Sequence, residues 1–339
     1  MLNIGIIGAG RIGRVHTQSI CNFVRGARVK TIADPLLSGE SAAWAQSLGV
    51  AGTTKDYREI LGDAEIGAVL ICSPTDTHAA ISLEAIAAGK HVFCEKPVDH
   101  DIGRIREVLE ALAEERARHL KYMVGFNRRF DHNFRALRSA VEGGKIGKPE
   151  LVRITSRDPA PPGADYAARS GGIFLDMTIH DFDMVRYLSG EEVTEVFAQP
   201  AVLVDPAIGE AGDFDSAVTT LRLESGALAV IDNCRRCVYG YDQRAEVFGS
   251  EGAAACGNDG ASTVQLSSAG GVTGEKPLFF FLERYMQAYA AEIGEFLAAV
   301  EQNSPVPVSA SDGLAAVRIG IAATKSAKEG RPVKLAEIA

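Results

Sequence analysis

The sequence predicts two domains in series: an α/β domain on a doubly wound parallel sheet, then an α+β domain with a large, mostly antiparallel sheet. Three observations carry this. Short apolar runs alternate with helix-like stretches through the first third of the chain. A glycine-rich turn, Gly8-Ala9-Gly10-Arg11-Ile12-Gly13, follows the first of those runs. After Tyr122 the texture changes to longer strands of alternating polarity. A length of 339 residues suits two domains, and 46% hydrophobic with 23% charged residues is a globular composition, neither disordered nor fibrous.

In order, Leu2 to Ile7 is a short apolar run, expected as a strand buried on both faces. The glycine turn opens a helix to about Cys21. A strand over Arg28 to Ala33 ends at Asp34-Pro35, a helix spans Gly39 to Leu48, and the chain then passes Val50-Ala51 to a helix near Tyr57–Leu61. A strand at Ala68 to Cys72, a helix from His78 to Ala88 and a strand at His91 to Cys94 complete the rhythm. Beyond Tyr122, Leu151 to Thr155, Val193 to Ala198, Val218 to Leu223, Leu228 to Asn233 and Arg244 to Phe248 read as strands separated by Ser-Gly, Gly-Ser and Asp-Gly turns. Gly252 to Gly271 reads as surface loop with a short strand. The expected domains are residues 1–122 and 123–339.

With 35 Lys+Arg against 44 Asp+Glu, the net charge of −9 offers no footprint for nucleic acid or an anionic membrane. No run of 18 apolar residues predicts a spanning helix. The start, Met1-Leu2-Asn3-Ile4, lacks the basic and apolar regions of a signal peptide, so a cytoplasmic setting is expected. Cys72 and Cys94 lie in apolar runs and are expected to be buried. Cys234 and Cys237 form a CxxC with no second pair, which argues against zinc.

The glycine turn carries chemistry because its context is right: a strand before it, a helix after it, and Asp34 about twenty positions on. Gly8 permits the tight turn, Gly10 lets backbone approach a pyrophosphate, and Gly13 lets helix and strand pack closely. Arg11 and Ile12 lie within the same cofactor turn, and the helix start supplies unpaired N–H groups to phosphates. Asp34 accepts from ribose hydroxyls, and the following Pro35-Leu36 bring no arginine for a 2′-phosphate, so NAD is favoured over NADP.

Two strand ends add polar groups where open parallel sheets bind ligands. Cys94 runs into Glu95-Lys96-Pro97, where Lys96 is placed to stabilise an alkoxide, or is simply a solvated lysine. The earlier end, Ser73-Pro74-Thr75-Asp76-Thr77-His78, offers Ser73, Thr75 and His78 to the cofactor, with Asp76 or Thr77 expected as the cap of the next helix. In the second domain, Gly171-Gly172-Ile173-Phe174-Leu175-Asp176-Met177-Thr178-Ile179-His180-Asp181-Phe182-Asp183 has helical spacing. Asp176 and His180 are expected at i and i+4 on one helix face, with Asp183 a turn further. The pair suits a general base with its orienting carboxylate, and equally a surface ion pair; for a metal it is only a partial site. His16, His91, His100, His119 and His132 show no partner in sequence, Arg104-Ile105-Arg106 and Glu114-Glu115-Arg116 read as solvated helix faces, and Trp44 and Phe279-Phe280-Phe281 read as packing.

The glycine turn, Glu95-Lys96-Pro97 and the Gly171–Asp181 motif occur in the order that resembles the Gfo/Idh/MocA oxidoreductase family, over essentially the whole chain. Within it, Met123 to Asp131, Ser156 to Pro162 and Val238 to Arg244 look like the inositol 2-dehydrogenases. The resemblance implies a Rossmann-type first domain, NAD as cofactor, a small polyol substrate and a homotetramer. It implies Lys96, Asp176 and His180 as the catalytic triad, Gly8, Gly10, Gly13 and Asp34 as NAD contacts with Glu95 beside them, and Arg128 and Tyr239 reaching the polyol. Asp183 is a further substrate-side candidate from its helix face, and the resemblance does not place Gly163 to Ser170. Another cyclitol or aldose dehydrogenase, or a redox-neutral NAD-dependent glycosidase of the same superfamily, are the competing expectations.

Overall fold

The structure, a computed structural model, describes residues 1–338, save the side chain of Ala164. Along the chain the first elements are β1 (Leu2–Ile7), α1 (Arg11–Phe23), β2 (Ala27–Ala33), α2 (Gly39–Ser47), β3 (Gly52–Thr54), α3 (Arg58–Gly62), β4 (Ala68–Ile71), α4 (His78–Ala87), β5 (His91–Glu95), α5 (Ile102–Ala113) and β6 (Tyr122–Gly125). There follow α6 (His132–Glu142), β7 (Pro149–Arg157), α7 (Ala164–Ala167), α8 (Gly172–Asp176), α9 (Ile179–Ser189), β8 (Val193–Ala201), α10 (Pro206–Glu210), β9 (Ser216–Leu223), β10 (Leu228–Cys234), β11 (Asp242–Gly249) and β12 (Gly252–Cys256). The last are β13 (Gln265–Ser268), β14 (Gly271–Gly274), α11 (Phe281–Arg284), α12 (Met286–Gln302), α13 (Ala310–Glu329) and β15 (Val333–Lys334).

The chain packs as two units. The first combines Met1–Phe130 with Met286–Val317, and the second combines Asp131–Tyr285 with the residues from Arg318 onward. A single cut near residue 122 has no place for this return. It also misses β6, whose four residues are all buried and which pairs with β5 in parallel as the sixth strand of the first sheet.

That sheet has the order β3-β2-β1-β4-β5-β6, with every pairing parallel. The order reverses between β1 and β4, the switch point at which such sheets bind ligands beyond the carboxyl ends of their strands. The apolar runs are β strands because both faces are covered: Ile4, Ile6, Ala68 to Ile71, Phe93 and Cys94 are all essentially inaccessible. The returning α12 packs against α1, and the Val124 N–H donates to the Val308 carbonyl. Cys72 and Cys94 are buried, as expected.

The second unit is built on a seven-stranded sheet of order β12-β11-β7-β10-β9-β8-β15. All pairings are antiparallel except β7 with β10, so the sheet is mixed. Alternation along β9, and along β11 from Gln243 onward, buries one face, and α9 packs against the sheet at β7. The Gly252–Gly271 stretch holds more structure than a loop: β12 extends the sheet, and β13 with β14 forms a separate, fully exposed hairpin. No helix among the described residues is long and apolar enough to cross a membrane.

In this unit Asp131 caps α6, accepting from the Asn133 and Phe134 N–H groups at 3.0 and 3.2 Å, and it also pairs with the buried Arg284. Asp131→Ala removes the cap and one of two partners of a buried guanidinium, so a loss of about 3 kcal/mol is expected, a fall in Tm of roughly 6 °C or more. Thermal melting checks it, and an unchanged Tm would refute it.

Candidate active site

The glycine turn separates the three roles expected of it. Gly8 has φ +104°, and a Cβ there would stand 2.5 Å from the Cys72 carbonyl oxygen. A Cβ on Gly13 would stand 2.0 Å from the Gly8 carbonyl oxygen, so α1 lies against β1 only because the position is glycine. Gly10, which caps α1, would meet nothing within 4 Å: its backbone faces open space, as approach by a pyrophosphate requires. Arg11 is exposed and Ile12 half-buried at the helix start. Asp34, just past β2, accepts from the Ala9 N–H at 2.7 Å through one carboxylate oxygen and from the Leu36 N–H at 2.8 Å through the other. It is fixed to the turn yet half-buried, and each oxygen keeps acceptor capacity for a ribose hydroxyl. The Arg14 guanidinium stacks over the Trp44 ring at 4.7 Å, a packing contact.

Beyond β4 and β5 the backbone is held by side chains. Neither Asp76 nor Thr77 caps α4 through its side chain. A short 3-10 turn over Thr75–Thr77 intervenes, and the Thr77 hydroxyl instead donates to the Pro74 carbonyl and lies 2.6 Å from the Ser73 hydroxyl. Thr75 is half-buried in this turn. His78 is buried, with Nδ1 2.8 Å from the Pro97 carbonyl and Nε2 2.8 Å from the Ser73 carbonyl. Two carbonyl acceptors require two N–H donors, which only the charged imidazole has. Burial opposes that charge, but the Cys94 thiol and the two carbonyls outweigh it, and the imidazole is pushed up to about 9. Glu95 ends β5 buried, with Oε1 2.6 Å from His16 Nε2, so His16 has a partner that the sequence did not show. Lys96 follows, half-buried, its N–H donating to Glu95 Oε2 at 3.3 Å. Arg128, also of the first unit, is buried in the 3-10 turn Asn127–Phe130 after β6.

In the second unit the helical spacing of Asp176 and His180 does not become one helix. Asp176 ends α8, Met177 and Thr178 form a turn in which both N–H groups donate to the Ile173 carbonyl, and His180 is the second residue of α9. Gly171 and Gly172, at φ +87° and +77°, begin α8 in a left-handed conformation, and a Cβ on Gly172 would stand 2.8 Å from Asp213 Oδ1. That same oxygen accepts from the Ile173 N–H at 2.8 Å. Asp176 accepts from the Tyr166 hydroxyl at 2.9 Å and from the buried Arg235 guanidinium at 3.3 and 3.4 Å; Arg235 also reaches Asp213 at 3.4 Å. His180 is half-buried and Asp183 buried. Below the break, the Asn233 amide donates to Asp181 Oδ2 at 2.8 Å and accepts from the Thr178 hydroxyl at 2.9 Å. Tyr239 is 39% exposed, and its hydroxyl donates to Asp242 at 2.7 Å. That bond and partial burial push the phenol up to about 12.

Arg235, Asp213, Asn233 and Tyr166 were missed. Arg235 sat inside the CxxC, read only for its cysteines, although arginine at a strand end in an alternating run is a visible signal. Tyr166 falls in the stretch that the resemblance left unplaced. All six cysteines are free thiols.

Residues 2–126 match the model of an oxidoreductase family with an NAD-binding Rossmann fold, and residues 134–255 match the GFO/IDH/MocA C-terminal domain. The chain is 49% identical over 337 residues to the myo-inositol 2-dehydrogenase of Thermotoga maritima, covering 99% of each. The chain belongs to the Gfo/Idh/MocA oxidoreductase family. Another relative, the inositol 2-dehydrogenase of Rhizobium meliloti, is 47% identical over 335 residues, again covering 99% of each chain. A solved structure of scyllo-inositol dehydrogenase from Lactobacillus casei, with NAD(H) and scyllo-inositol bound, superposes with a TM-score of 0.92 at 31% identity, covering 99% of each chain. The cofactor is NAD, and the open backbone at Gly10 and the tethered Asp34 fit it.

Two outcomes are expected. Gly13→Ala should fail to fold or melt well below the parent, whereas Gly10→Ala should melt like the parent yet bind NADH roughly tenfold more weakly in a fluorescence titration; equal affinity would remove Gly10 from the pyrophosphate site. For His78, a folded pKa near 9 against an ordinary 6.5 means stability present below pH 6.5 and lost as pH rises through 9. The unfolding free energy of the parent, minus that of His78→Asn, should therefore fall by about 3 kcal/mol between pH 6 and pH 9.5. A flat difference in denaturant titrations would show a neutral imidazole.

Proposed function

We propose that the chain oxidises myo-inositol, or a closely related cyclitol, to the corresponding inosose. The observation that supports this best is the second unit's Asp176, braced by Arg235 and Tyr166 four residues before a half-buried His180. It occurs in a chain about half identical to enzymes named for inositol. Bound NAD supplies a two-electron oxidant that accepts hydride from the carbinol carbon.

A secondary alcohol is a far weaker acid than imidazolium, so its oxidation needs both a base and a cation. In this reading His180 takes the hydroxyl proton, Asp176 orients the imidazole, and Lys96 stabilises the alkoxide. Arg235 gives the Asp176 carboxylate a cationic partner, and Tyr166 fixes its other oxygen. Arg128, Asp183 and Tyr239 are assigned to the polyol hydroxyls, and Ser73, Thr75 and Glu95 to the cofactor side. An uncharged polyol needs no steering field, so a net charge of −9 is no obstacle.

We infer further that the enzyme is a homotetramer assembled through the outward sheet face, where Phe248, Leu151 and Leu228 stand in one row by strand register. Phe248 and Leu228 are 46% and 45% exposed. Light scattering should return four times the chain mass, and Phe248→Glu with Leu228→Glu should reduce it; a parent that runs as a monomer would overturn this.

The deciding assay is NADH formation at 340 nm over inositol stereoisomers and common aldoses, with NAD and with NADP. The expected result is turnover of myo-inositol with NAD. Lys96→Ala and His180→Ala should each lower kcat by about a thousandfold while NADH still binds. Turnover untouched in both variants would overturn the assignment, and no NADH from any polyol would favour the redox-neutral glycosidase.

A further inference from the structure

The Glu95 side chain also sits in a buried cluster with two residues, His16 and Glu292, that the proposed reaction does not use. One ligand atom each from His16 on α1, Glu95 on β5 and Glu292 on α12 lies within 4.8 Å of the other two, and all three residues are buried. Glu292 is 0% exposed, and neither of its carboxyl oxygens has a hydrogen-bond partner. The His16 ring is boxed by Phe93 and Tyr289, edge-on at 5.2 and 5.6 Å between centroids. Gly125 stands opposite Glu95 in the β5–β6 register, and a Cβ there would come within 3.1 Å of the Glu95 carboxyl carbon. The space is thus built around that carboxyl.

Two ionised carboxylates in an apolar pocket repel each other and lose hydration, whereas one neutral acid avoids both penalties. A divalent cation would also balance them. However, the 2.6 Å between His16 Nε2 and Glu95 Oε1 is the separation of a direct hydrogen bond, shorter than the roughly 3 Å between two ligands each about 2 Å from one ion. We propose that Glu292 is a positioning residue for the Glu95–Lys96 strand end, a neutral carboxylic acid packed beside the hydrogen-bonded Glu95–His16 pair. Glu95 then spans the cluster and the catalytic lysine's backbone: Oε1 meets His16, and Oε2 accepts from the Lys96 N–H. Burial first, and the charge of Glu95 second, push the Glu292 carboxyl well above the ordinary range. The titratable groups facing the pair are His16 from α1 and the Cys72 thiol just past β4.

The functional consequence rests on the assignment of Lys96 to the alkoxide; the protonation state does not. Infrared difference spectra of the whole protein at neutral pH should show a protonated-carboxyl C=O band in the parent that is missing from Glu292→Gln. In the NADH assay, Glu292→Gln, a neutral isostere, should keep kcat within about threefold of the parent, while Glu292→Ala should lower kcat at least about thirtyfold with KM for NAD little changed. If Glu292→Ala does not fold, the infrared band and Glu292→Gln still decide. Absence of the band, a Glu292→Gln variant as impaired as Glu292→Ala, or a stoichiometric divalent metal found in the purified parent by elemental analysis would each overturn the proposal. Should no polyol be oxidised at all, the assignment of Lys96 fails while the infrared result stands.

Discussion

The first unit depends on how the carboxyl ends of β4 and β5 are finished. A parallel sheet leaves backbone carbonyls unpaired where its strands stop, and here a buried imidazole bonds to two of them at once, Ser73 and Pro97. Because both must be met by N–H donors, His78 carries a charge in the interior, and that charge fixes the spacing of two strand ends. Ser73 abuts the glycine turn, since a Cβ on Gly8 would stand 2.7 Å from the Ser73 nitrogen. Pro97 directly follows Lys96. One ring thereby couples the placement of the cofactor turn to the placement of the lysine. His78 entered the sequence reading as a cofactor ligand; its two ring nitrogens are both spent on backbone.

Much of the first sheet was legible because its signals are local. Apolar runs of four to six residues, alternating with helix-like stretches and punctuated by glycine and proline, read as buried strands, and they form β1 and β4. The glycines were legible from their spacing between a strand and a helix, although only Gly13 is constrained from within the turn, and Gly8 is hemmed in by the distant Cys72 and Ser73. What escaped was long-range. Tyr122 to Gly125 stands where the texture changes, and its membership of the first sheet shows only through its pairing with β5. The return of α12 to α1 is invisible in sequence, because amphipathic helices do not name the surface they cover. His16 looked idle for want of Glu95, 79 positions away.

The candidate site divides in the same way. Residue types at Lys96, Asp176 and His180 were readable from motif spacing, but the geometry inferred from that spacing was not the one found. Helical periodicity over Gly171–Asp183 is real on both sides of the break, and nothing local reveals that the ladder is interrupted at Met177-Thr178. Side chains from elsewhere brace both segments: Asp213 takes the Ile173 N–H at the start of α8, and Asn233 bridges the Thr178 hydroxyl and the Asp181 carboxylate at the start of α9.

Those bracing groups have a common origin. Asn233 lies in β10 and Arg235 follows directly after it, while Asp213 precedes β9, the antiparallel neighbour of β10. The end of one strand pair therefore holds both flanks of the helix break, with an amide on the His180 side and a guanidinium shared between Asp176 and Asp213 on the other. A continuous helix would aim Asp176 and His180 by its own pitch alone, and any helix can slide or rotate slightly on a sheet. A broken one, pinned by charged and amide groups at 2.8 to 3.4 Å, has its two halves set by the strand ends instead. The side chains proposed for proton transfer ride on helices, but the sheet beneath decides where they point.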